Sequence, residues 1–187
     1  MQGKPARTGA ETQAQGSDPE EEHMVSTLIL VRHGKAERGG AGLADINRPL
    51  TEAGRAALAG PEGFPTTFAA LDDAARTEAE LWTSPALRAQ QTAQEIARVI
   101  GERPLQEHES LWEQDEVAFL QEIAASDART VIAVGHIPFM NDVLDWITDD
   151  ASLSFSPGAV AAIRMDPGYT AADCRGTLMW FAKGPAV

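Results

Sequence analysis

The stretch Thr27-Leu28-Ile29-Leu30-Val31-Arg32-His33-Gly34 is a short, mostly apolar run that ends in two basic side chains and a glycine. A run of this length, rich in β-forming residues and bounded by glycine, predicts a buried β-strand. Residues 130–134 repeat the pattern and are followed by Gly135 and His136, and residues 80–83 indicate another strand. The sequence therefore predicts a sheet with polar residues at the ends of its strands.

Helical patterns lie between these strands. Thr51 is placed to cap a helix that runs through Leu58. Ser84 predicts an N-cap, with Pro85 at the first helical position, for a helix whose apolar residues recur at helical spacing up to residue 100. Residues 117–123 and the stretch after Pro138 show the same periodicity.

The last part of the chain has a different pattern. Residues 159–165 and 178–181 indicate two closing strands, and the turn-rich residues 166–168 between them favour antiparallel pairing. Strands that otherwise alternate with helices are typical of an α/β protein. We therefore predict a three-layer α/β/α fold with a mainly parallel sheet and antiparallel edge strands.

The composition is that of one globular domain: of 187 residues, 43% are hydrophobic and 23% charged. Residues 1–23 are polar and acidic, so we expect a disordered tail before a domain over residues 24–187. The net charge of −13 argues against nucleic acid as a partner. Because no apolar run is long enough to cross a bilayer and the single cysteine, Cys174, excludes an internal disulfide, we expect a cytoplasmic protein without a membrane partner.

Three polar segments follow predicted strands: Arg32-His33-Gly34, residues 84–88 with Arg88 at their end, and Gly135-His136. Ligands of open α/β sheets bind beyond the carboxyl ends of the strands, so we expect these segments to converge. Arginine matches phosphate oxygens with a planar fork of donors, and a helix N-terminus adds free N–H groups. Without cysteine or ordered acidic ligands, this pattern predicts a phosphoryl site with no metal and no cofactor.

Each residue also has a structural explanation when taken alone. A histidine after a buried strand can be a satisfied core residue, and a surface salt bridge would explain Arg88. The dipole of its helix nevertheless disfavours a cation in the first turn, which makes an anion beside Arg88 the better explanation. The occurrence of all three segments at strand ends favours a functional site.

Together the motifs resemble a known family. Arg32-His33-Gly34, Ser84-Pro85-x-x-Arg88-x-x-x-Thr92-Ala93 and Val134-Gly135-His136 occur in the order typical of the histidine phosphatase superfamily, whose fold is phosphoglycerate mutase-like. Arg48-Pro49-Leu50-Thr51-x-x-Gly54 and the short connections are similar to its small bacterial phosphohistidine phosphatase branch, the SixA type. The resemblance covers about residues 27–183.

This resemblance implies a metal-independent, two-step transfer in which His33 attacks phosphorus and becomes a phosphohistidine that water then hydrolyses. Arg32 and Arg88 would hold the phosphate oxygens, and His136, which we expect to be protonated, would do the same from the facing strand. The other residues expected to bind phosphate or substrate are Gly34, Arg48, Ser84, Gly135 and Glu109.

Two of these assignments have open alternatives. Arg48 either lines the pocket or forms a salt bridge where a helix begins. Glu109 falls where larger relatives carry a carboxylate that protonates the leaving oxygen, but Glu107 and Glu113 are close to it in sequence. Glutamates in an acidic protein are, moreover, usually only solvated.

From these features we expect a phosphatase that acts on phosphohistidine in a protein, such as a phosphotransfer domain of a signalling relay. The alternative is a phosphatase of small phosphate monoesters or other phosphorylated metabolites with the same catalytic core. Relatives of that kind usually carry long insertions that build a lid, whereas the connection from Thr92 to Ala133 is short. A non-catalytic module that binds a phosphorylated ligand is disfavoured by the intact set of two histidines and two arginines.

Overall fold

The computed structural model describes residues 24–40 and 42–186. The predicted tail of residues 1–23 lies outside the described residues, and its disorder stays a prediction. The described strands are β1 (Thr27–Arg32), β2 (Glu80–Thr83), β3 (Leu105–Glu107), β4 (Thr130–Gly135), β5 (Val160–Met165) and β6 (Gly176–Ala182). They form one sheet in the order β3-β2-β4-β1-β5-β6.

The two histidine segments follow the neighbouring strands β1 and β4. These strands are parallel, with Arg32 opposite Gly135, and the N–H of His33 donates to the carbonyl oxygen of Gly135 over 3.0 Å. β2 and β3 continue the parallel arrangement, whereas β5 and β6 add an antiparallel edge beyond β1. Because parallel strands end on the same side, the segments after β1, β2 and β4 meet at one edge of the sheet.

Helices cover both faces of the sheet. Alternate side chains point to opposite faces, so Ile29 and Val31 of β1 pack in one core while Leu28 and Leu30 pack in the other. The first core is closed by α1 (Glu52–Ala59), α2 (Phe64–Phe68), α3 (Asp73–Glu78) and α4 (Leu87–Ile100), and the second by α5 (Glu109–Glu113), α6 (Glu116–Ala124) and α7 (Phe139–Thr148). This arrangement confirms the predicted three-layer fold.

The longer predicted elements are confirmed. α1 begins after Thr51, whose hydroxyl accepts a hydrogen bond from the N–H of Gly54 over 2.8 Å, and β5 and β6 pair antiparallel. The short elements α2, α3, α5 and β3 contain too few residues for a periodic pattern to predict them. Among the described residues, no helix has the length and apolar character needed to span a membrane.

The start of α4 differs from the prediction. The helix begins at Leu87 with Ala86 as its N-cap, so the assignment of Ser84 as N-cap and Pro85 as first helical residue is wrong. The hydroxyl oxygen of Ser84 lies 2.9 Å from Nε2 of His136 and accepts from the N–H of Ala86 over 3.3 Å. Ser84 therefore supports the turn before the helix and a side chain of the neighbouring strand.

Gly54 is a point of close approach between α1 and the segment after His33. A Cβ at Gly54 would overlap the carbonyl oxygen of Lys35 and would lie 2.9 Å from Oγ1 of Thr51. The same carbonyl oxygen accepts a hydrogen bond from the N–H of Thr51 over 2.9 Å. The N-terminus of α1 therefore supports the segment that carries His33.

We expect Gly54→Ala to lower the free energy of unfolding by about 1–3 kcal/mol, because the added methyl group must displace backbone. Urea denaturation followed by circular dichroism measures the change. Gly40→Ala is the matched control, since a Cβ there meets no atom within 4 Å, and it should not destabilise the protein. Equal unfolding midpoints for the two variants would contradict this packing.

Candidate active site

An open cavity of about 640 Å³ lies beside the ends of β1 and β4. Arg32, His33, Arg88 and His136 line it, and the ring centroids of the two histidines are 5.1 Å apart. Arg88 lies between them, with its Nε 3.3 Å from Nε2 of His33 and its Nη2 3.4 Å from Nδ1 of His136. The structure therefore brings these four predicted residues together around a space that can hold a small ligand.

The hydrogen bonds of His33 determine which ring nitrogen is free. Nδ1 lies 2.7 Å from the carbonyl oxygen of Gly34, and since a carbonyl only accepts, Nδ1 carries the proton. Nε2 is then unprotonated and accepts from the Nε–H of Arg88. Burial lowers the pKa of His33 to about 4; the bond to Gly34 opposes this shift, and the charges of Arg88 and Arg32 add to it. His33 is therefore neutral at pH 7.

Thr92 fastens the segment after His33 to α4. The N–H of Gly34 donates to Oγ1 of Thr92 over 3.1 Å, and the hydroxyl of Thr92 donates to the carbonyl oxygen of Arg88 over 2.7 Å. A Cβ at Gly34 would lie 2.7 Å from Cδ1 of Leu58, so the position leaves little room for a side chain. One buried hydroxyl thus joins the His33 segment to the first turn of α4.

Asp45, which was not among the predicted site residues, pairs with two of the cavity arginines. It begins the short 3₁₀ turn Asp45–Asn47. Its Oδ2 lies 2.9 Å from Nη2 of Arg88, its Oδ1 lies 2.7 Å from Nε of Arg48, and its carbonyl oxygen accepts from Nη1 of Arg88 over 2.8 Å. Partial burial acts to raise the pKa of Asp45, but the hydrogen bonds and charges of Arg48 and Arg88 outweigh it and lower the pKa. Asp45 is therefore ionised at neutral pH.

Both interpretations of Arg48, as a residue that lines the pocket and as one that forms a salt bridge, describe its position. It lines the cavity and also forms the salt bridge to Asp45 beside the 3₁₀ turn. Its Nη1 donates to the carbonyl oxygen of Glu37 over 2.8 Å, which holds the connection between β1 and α1 at the cavity. The i, i+3 spacing of Asp45 and Arg48 is a common ion-pair spacing and is the signal that could have identified Asp45.

His136 has the opposite tautomer to His33. Its Nδ1 faces the Nη2 of Arg88, which can only donate, so Nδ1 is unprotonated and Nε2–H donates to Oγ of Ser84. Burial lowers the pKa of His136 to about 3, and the neighbouring His33 and the charge of Arg88 contribute. His136 is therefore neutral in this structure, and the imidazolium expected while it holds a phosphate stays a prediction.

Arg32 contributes a further guanidinium to the cavity. Its Nη1 donates to the carbonyl oxygen of Phe155 over 2.7 Å, whereas its buried Nε has no hydrogen-bond partner among the described residues. Burial also lowers the pKa of Arg32. A buried donor without a partner costs about 1–3 kcal/mol, and functional sites are among the places where such costs occur.

Trp112 forms an apolar wall that was also not among the predicted site residues. It lines the cavity, and its ring centroid lies 5.7 Å from that of His136 and 5.7 Å from Cζ of Arg88. The face of an indole attracts a nearby guanidinium. Trp112 thus helps to hold the guanidinium of Arg88 at the cavity.

Ser84 and Gly135 support the site without lining the cavity. Ser84 holds the ring of His136, as described above. The carbonyl oxygen of Gly135 accepts a hydrogen bond from the N–H of His33. A Cβ at Gly135 would lie 2.5 Å from Cε of Met140. Both residues act on the positions of the histidines, and neither is placed to touch a ligand in the cavity.

The three candidate glutamates lie away from the cavity lining. Glu109 and Glu113 are the exposed first and last residues of α5, and Glu107 accepts from Nε2 of Gln90 over 2.7 Å. α5 buries Leu111 and turns Glu109 to solvent. The structure therefore does not bring Glu109 to the other predicted site residues.

The charges of the cavity suit an anion. Arg32, Arg48, Arg88 and Lys35 line it with positive charge, and Asp45 adds one negative charge. Within the described residues, no group of three or more His, Cys, Asp or Glu side chains is arranged to hold a metal ion. The arrangement can hold a tetrahedral oxyanion through guanidinium groups, with the lone pair of His33 beside it.

We expect a nitrogen NMR titration to show both His33 and His136 neutral throughout the neutral pH range, because their pKa values are about 4 and about 3. An unfolded chain takes up these protons near pH ~6.5, so stability should fall as the pH decreases below that value. Spectra of histidine-labelled protein, assigned with His33→Ala and His136→Ala, measure the midpoints. A midpoint near the unfolded value for either ring would refute this description.

Three solved structures illustrate what the fold resembles. The protein histidine phosphatase SixA complexed with tungstate is 20% identical, with a TM-score of 0.63 over 84% of this chain and 96% of that chain. A mycobacterial glucosyl-3-phosphoglycerate phosphatase is 13% identical, with a TM-score of 0.62 over 87% and 100%. The phosphoglycerate mutase of Bacillus anthracis is 15% identical, with a TM-score of 0.55 over 89% and 95%. These likenesses confirm the predicted phosphoglycerate mutase-like fold.

The sequence matches a family model, although no significant match was found among curated protein sequences. The sequence model of the histidine phosphatase superfamily (branch 1), however, matches residues 28–119, a range that includes Arg32, His33 and Arg88. The sequence match thus places residues 28–119 in the histidine phosphatase superfamily (branch 1), and the fold agrees with that match.

Proposed function

We propose that the protein is a metal-independent phosphatase that removes the phosphoryl group from phosphohistidine on a protein, through a phosphorylated intermediate on His33. The observation that carries the proposal is the unprotonated Nε2 of His33, which faces Arg88 in a cavity lined with arginines. A lone pair beside guanidinium groups is what attack on phosphorus requires. The proposed partner is a phosphotransfer domain of a cytoplasmic signalling relay.

In the first step, Nε2 of His33 forms a bond to phosphorus while the bond from phosphorus to the substrate nitrogen breaks. The electron pair of the broken bond leaves with the substrate nitrogen. Arg88 donates its Nε–H to Nε2 in this structure, so this donor must pass to a phosphate oxygen when the substrate binds. Arg32 and Arg88 would then stabilise the oxygens as their charge redistributes.

His136 would change its protonation state when a phosphate binds. Its unprotonated Nδ1 faces Arg88, while its Nε2–H is held by Ser84. A phosphate dianion raises the pKa of a neighbouring imidazole, because the opposite charge favours the protonated form. His136 would then donate from Nδ1 to a phosphate oxygen, which is the role that the family resemblance implies.

In the second step, water attacks phosphorus and the bond to Nε2 of His33 breaks. Because Nδ1 keeps its proton and donates it in a hydrogen bond to the carbonyl oxygen of Gly34, the phosphorylated ring is positively charged and leaves as neutral imidazole. The protons of the attacking water end on the phosphate product and the solvent. Neither step requires proton transfer to or from His33.

The preference for phosphohistidine rests on the leaving group. An alkyl phosphate needs its oxygen protonated as it departs, and a positioned acid typically contributes ~10²–10⁴-fold. Asp45 is the one carboxylate that lines the cavity within the described residues, and its pairing with Arg48 and Arg88 lowers its pKa. Such a group is a poor acid. A protonated phosphohistidine ring leaves as neutral imidazole and needs no acid.

The alternative is a phosphatase of small phosphate monoesters or other metabolites. A small phosphate monoester would fit in the cavity of about 640 Å³, which favours this alternative. The fold is also shared with a glucosyl-3-phosphoglycerate phosphatase. Comparison of the two substrate classes on the parent protein tests the choice directly.

His33→Ala should abolish turnover of a phosphohistidine peptide and leave tungstate binding measurable, because the nucleophile is lost while the arginines remain. Arg88→Ala should weaken both binding and rate, since its interaction begins in the ground state and strengthens during transfer. Peptide turnover and calorimetric titration with tungstate provide the two readouts. Substantial turnover by His33→Ala would mean that another residue is the nucleophile.

Glu109→Gln should leave kcat/KM on the phosphohistidine peptide nearly unchanged, because Glu109 is exposed and does not line the cavity. Glu107→Gln and Glu113→Gln are matched controls with the same expectation. Alkyl phosphates should be poor substrates of the parent protein. Efficient alkyl phosphate hydrolysis, together with a large loss from one of these glutamate changes on both substrates, would favour the metabolite phosphatase.

A further inference from the structure

Asp45 lies at the mouth of the cavity. Its side chain is 56% exposed, whereas that of its partner Arg88 is 5% exposed. It is also the one carboxylate that lines the cavity in the part of the chain that the structure describes. A charged group in this position meets whatever projects from a bound phosphate towards solvent.

The carboxylate of Asp45 has acceptor capacity left. Its two oxygens each accept one hydrogen bond, from Arg88 and from Arg48. An ionised carboxylate offers about four acceptor sites, so each oxygen retains a lone pair. Because more than half of the side chain is exposed, an incoming N–H group can reach these lone pairs.

Arg88 places Asp45 and His33 on different edges of its guanidinium. Nε donates to Nε2 of His33, whereas Nη1 and Nη2 donate to the carbonyl and carboxylate oxygens of Asp45. In phosphoryl transfer, the attacking and leaving atoms lie roughly in line on opposite sides of phosphorus. A leaving group that departs on the side away from His33 can reach Asp45, because Asp45 lines the same cavity at another edge of the guanidinium.

We propose, on the basis of the proposed function, that Asp45 recognises the leaving imidazole of phosphohistidine by accepting a hydrogen bond from its second ring nitrogen. This N–H keeps the substrate ring positively charged. When Nε2 of His33 bonds to phosphorus, the phosphorus–nitrogen bond breaks and its electron pair neutralises the ring. The ring leaves as neutral imidazole, its N–H proton stays in place, and Asp45 remains ionised throughout.

The same carboxylate gives the site a charge preference. A substrate with a cationic, hydrogen-donating leaving group is attracted to Asp45, whereas one with a second anionic group beside the phosphate is repelled. Asp45 would thus select against phosphorylated carboxylic acids, although its charge also offsets part of the attraction that the arginines exert on any phosphate.

The test compares Asp45→Asn with the parent protein on a phosphohistidine peptide and on nitrophenyl phosphate, whose phenolate leaves without a proton. Loss of a hydrogen bond to a charged group should lower kcat/KM on the peptide by about tenfold to a hundredfold. On nitrophenyl phosphate, kcat/KM should stay the same or rise, because the variant removes a repulsive charge. Glu102→Gln, which removes an exposed charge just beyond the C-terminal end of α4, is the control and should change neither value.

Three results would overturn the inference: unchanged peptide turnover in Asp45→Asn, equal loss on both substrates, or a rise on both. Equal loss would mean that Asp45 only positions Arg88 and Arg48, and a rise on both would mean that it only competes with phosphate. If the parent protein hydrolyses nitrophenyl phosphate but not the peptide, the proposed function itself fails. The parent measurement therefore separates the two failures.

Discussion

The guanidinium of Arg88 is almost fully buried in the first turn of α4, where the helix dipole disfavours a cation. Removing such a charge from water costs several kcal/mol unless partners compensate. The partners come from three separate elements: Nε2 of His33 after β1, Nδ1 of His136 after β4, and the carboxylate of Asp45 in the 3₁₀ turn. The site is therefore assembled only when the strands, the helix and the turn are all in place, which ties its geometry to the fold.

The sequence predicts the parts of this arrangement that depend on buried strands. The apolar runs before Arg32 and Gly135 are long enough to identify β1 and β4, and parallel strands must deliver their following residues to one edge. The same reasoning places Arg88, because its helix follows β2 closely. Backbone hydrogen bonding thus accounts for the meeting of His33, Arg88 and His136 without any knowledge of side-chain contacts.

The parts that could not be predicted depend on contacts between side chains distant in sequence. Ser84 has the sequence context of an N-cap, yet its hydroxyl bonds the ring of His136. The protonation state of His136 follows from burial and from Arg88, neither of which a strand-end motif reveals. Asp45 lies in a connection without apolar periodicity, and its role becomes visible only when the 3₁₀ turn meets α4.

The bond from Nδ1 of His33 to Gly34 has a consequence for the fate of a transferred group. In the proposed reaction, the phosphoryl group passes from one imidazole to another, and the carbonyl oxygen of Gly34 keeps the receiving ring protonated at Nδ1. A phosphorylated ring with that proton is a cation, and a cationic ring is a better leaving group than a neutral one when water attacks phosphorus. The backbone contact that leaves Nε2 unprotonated thus also suits the chain to discharging phosphoryl groups.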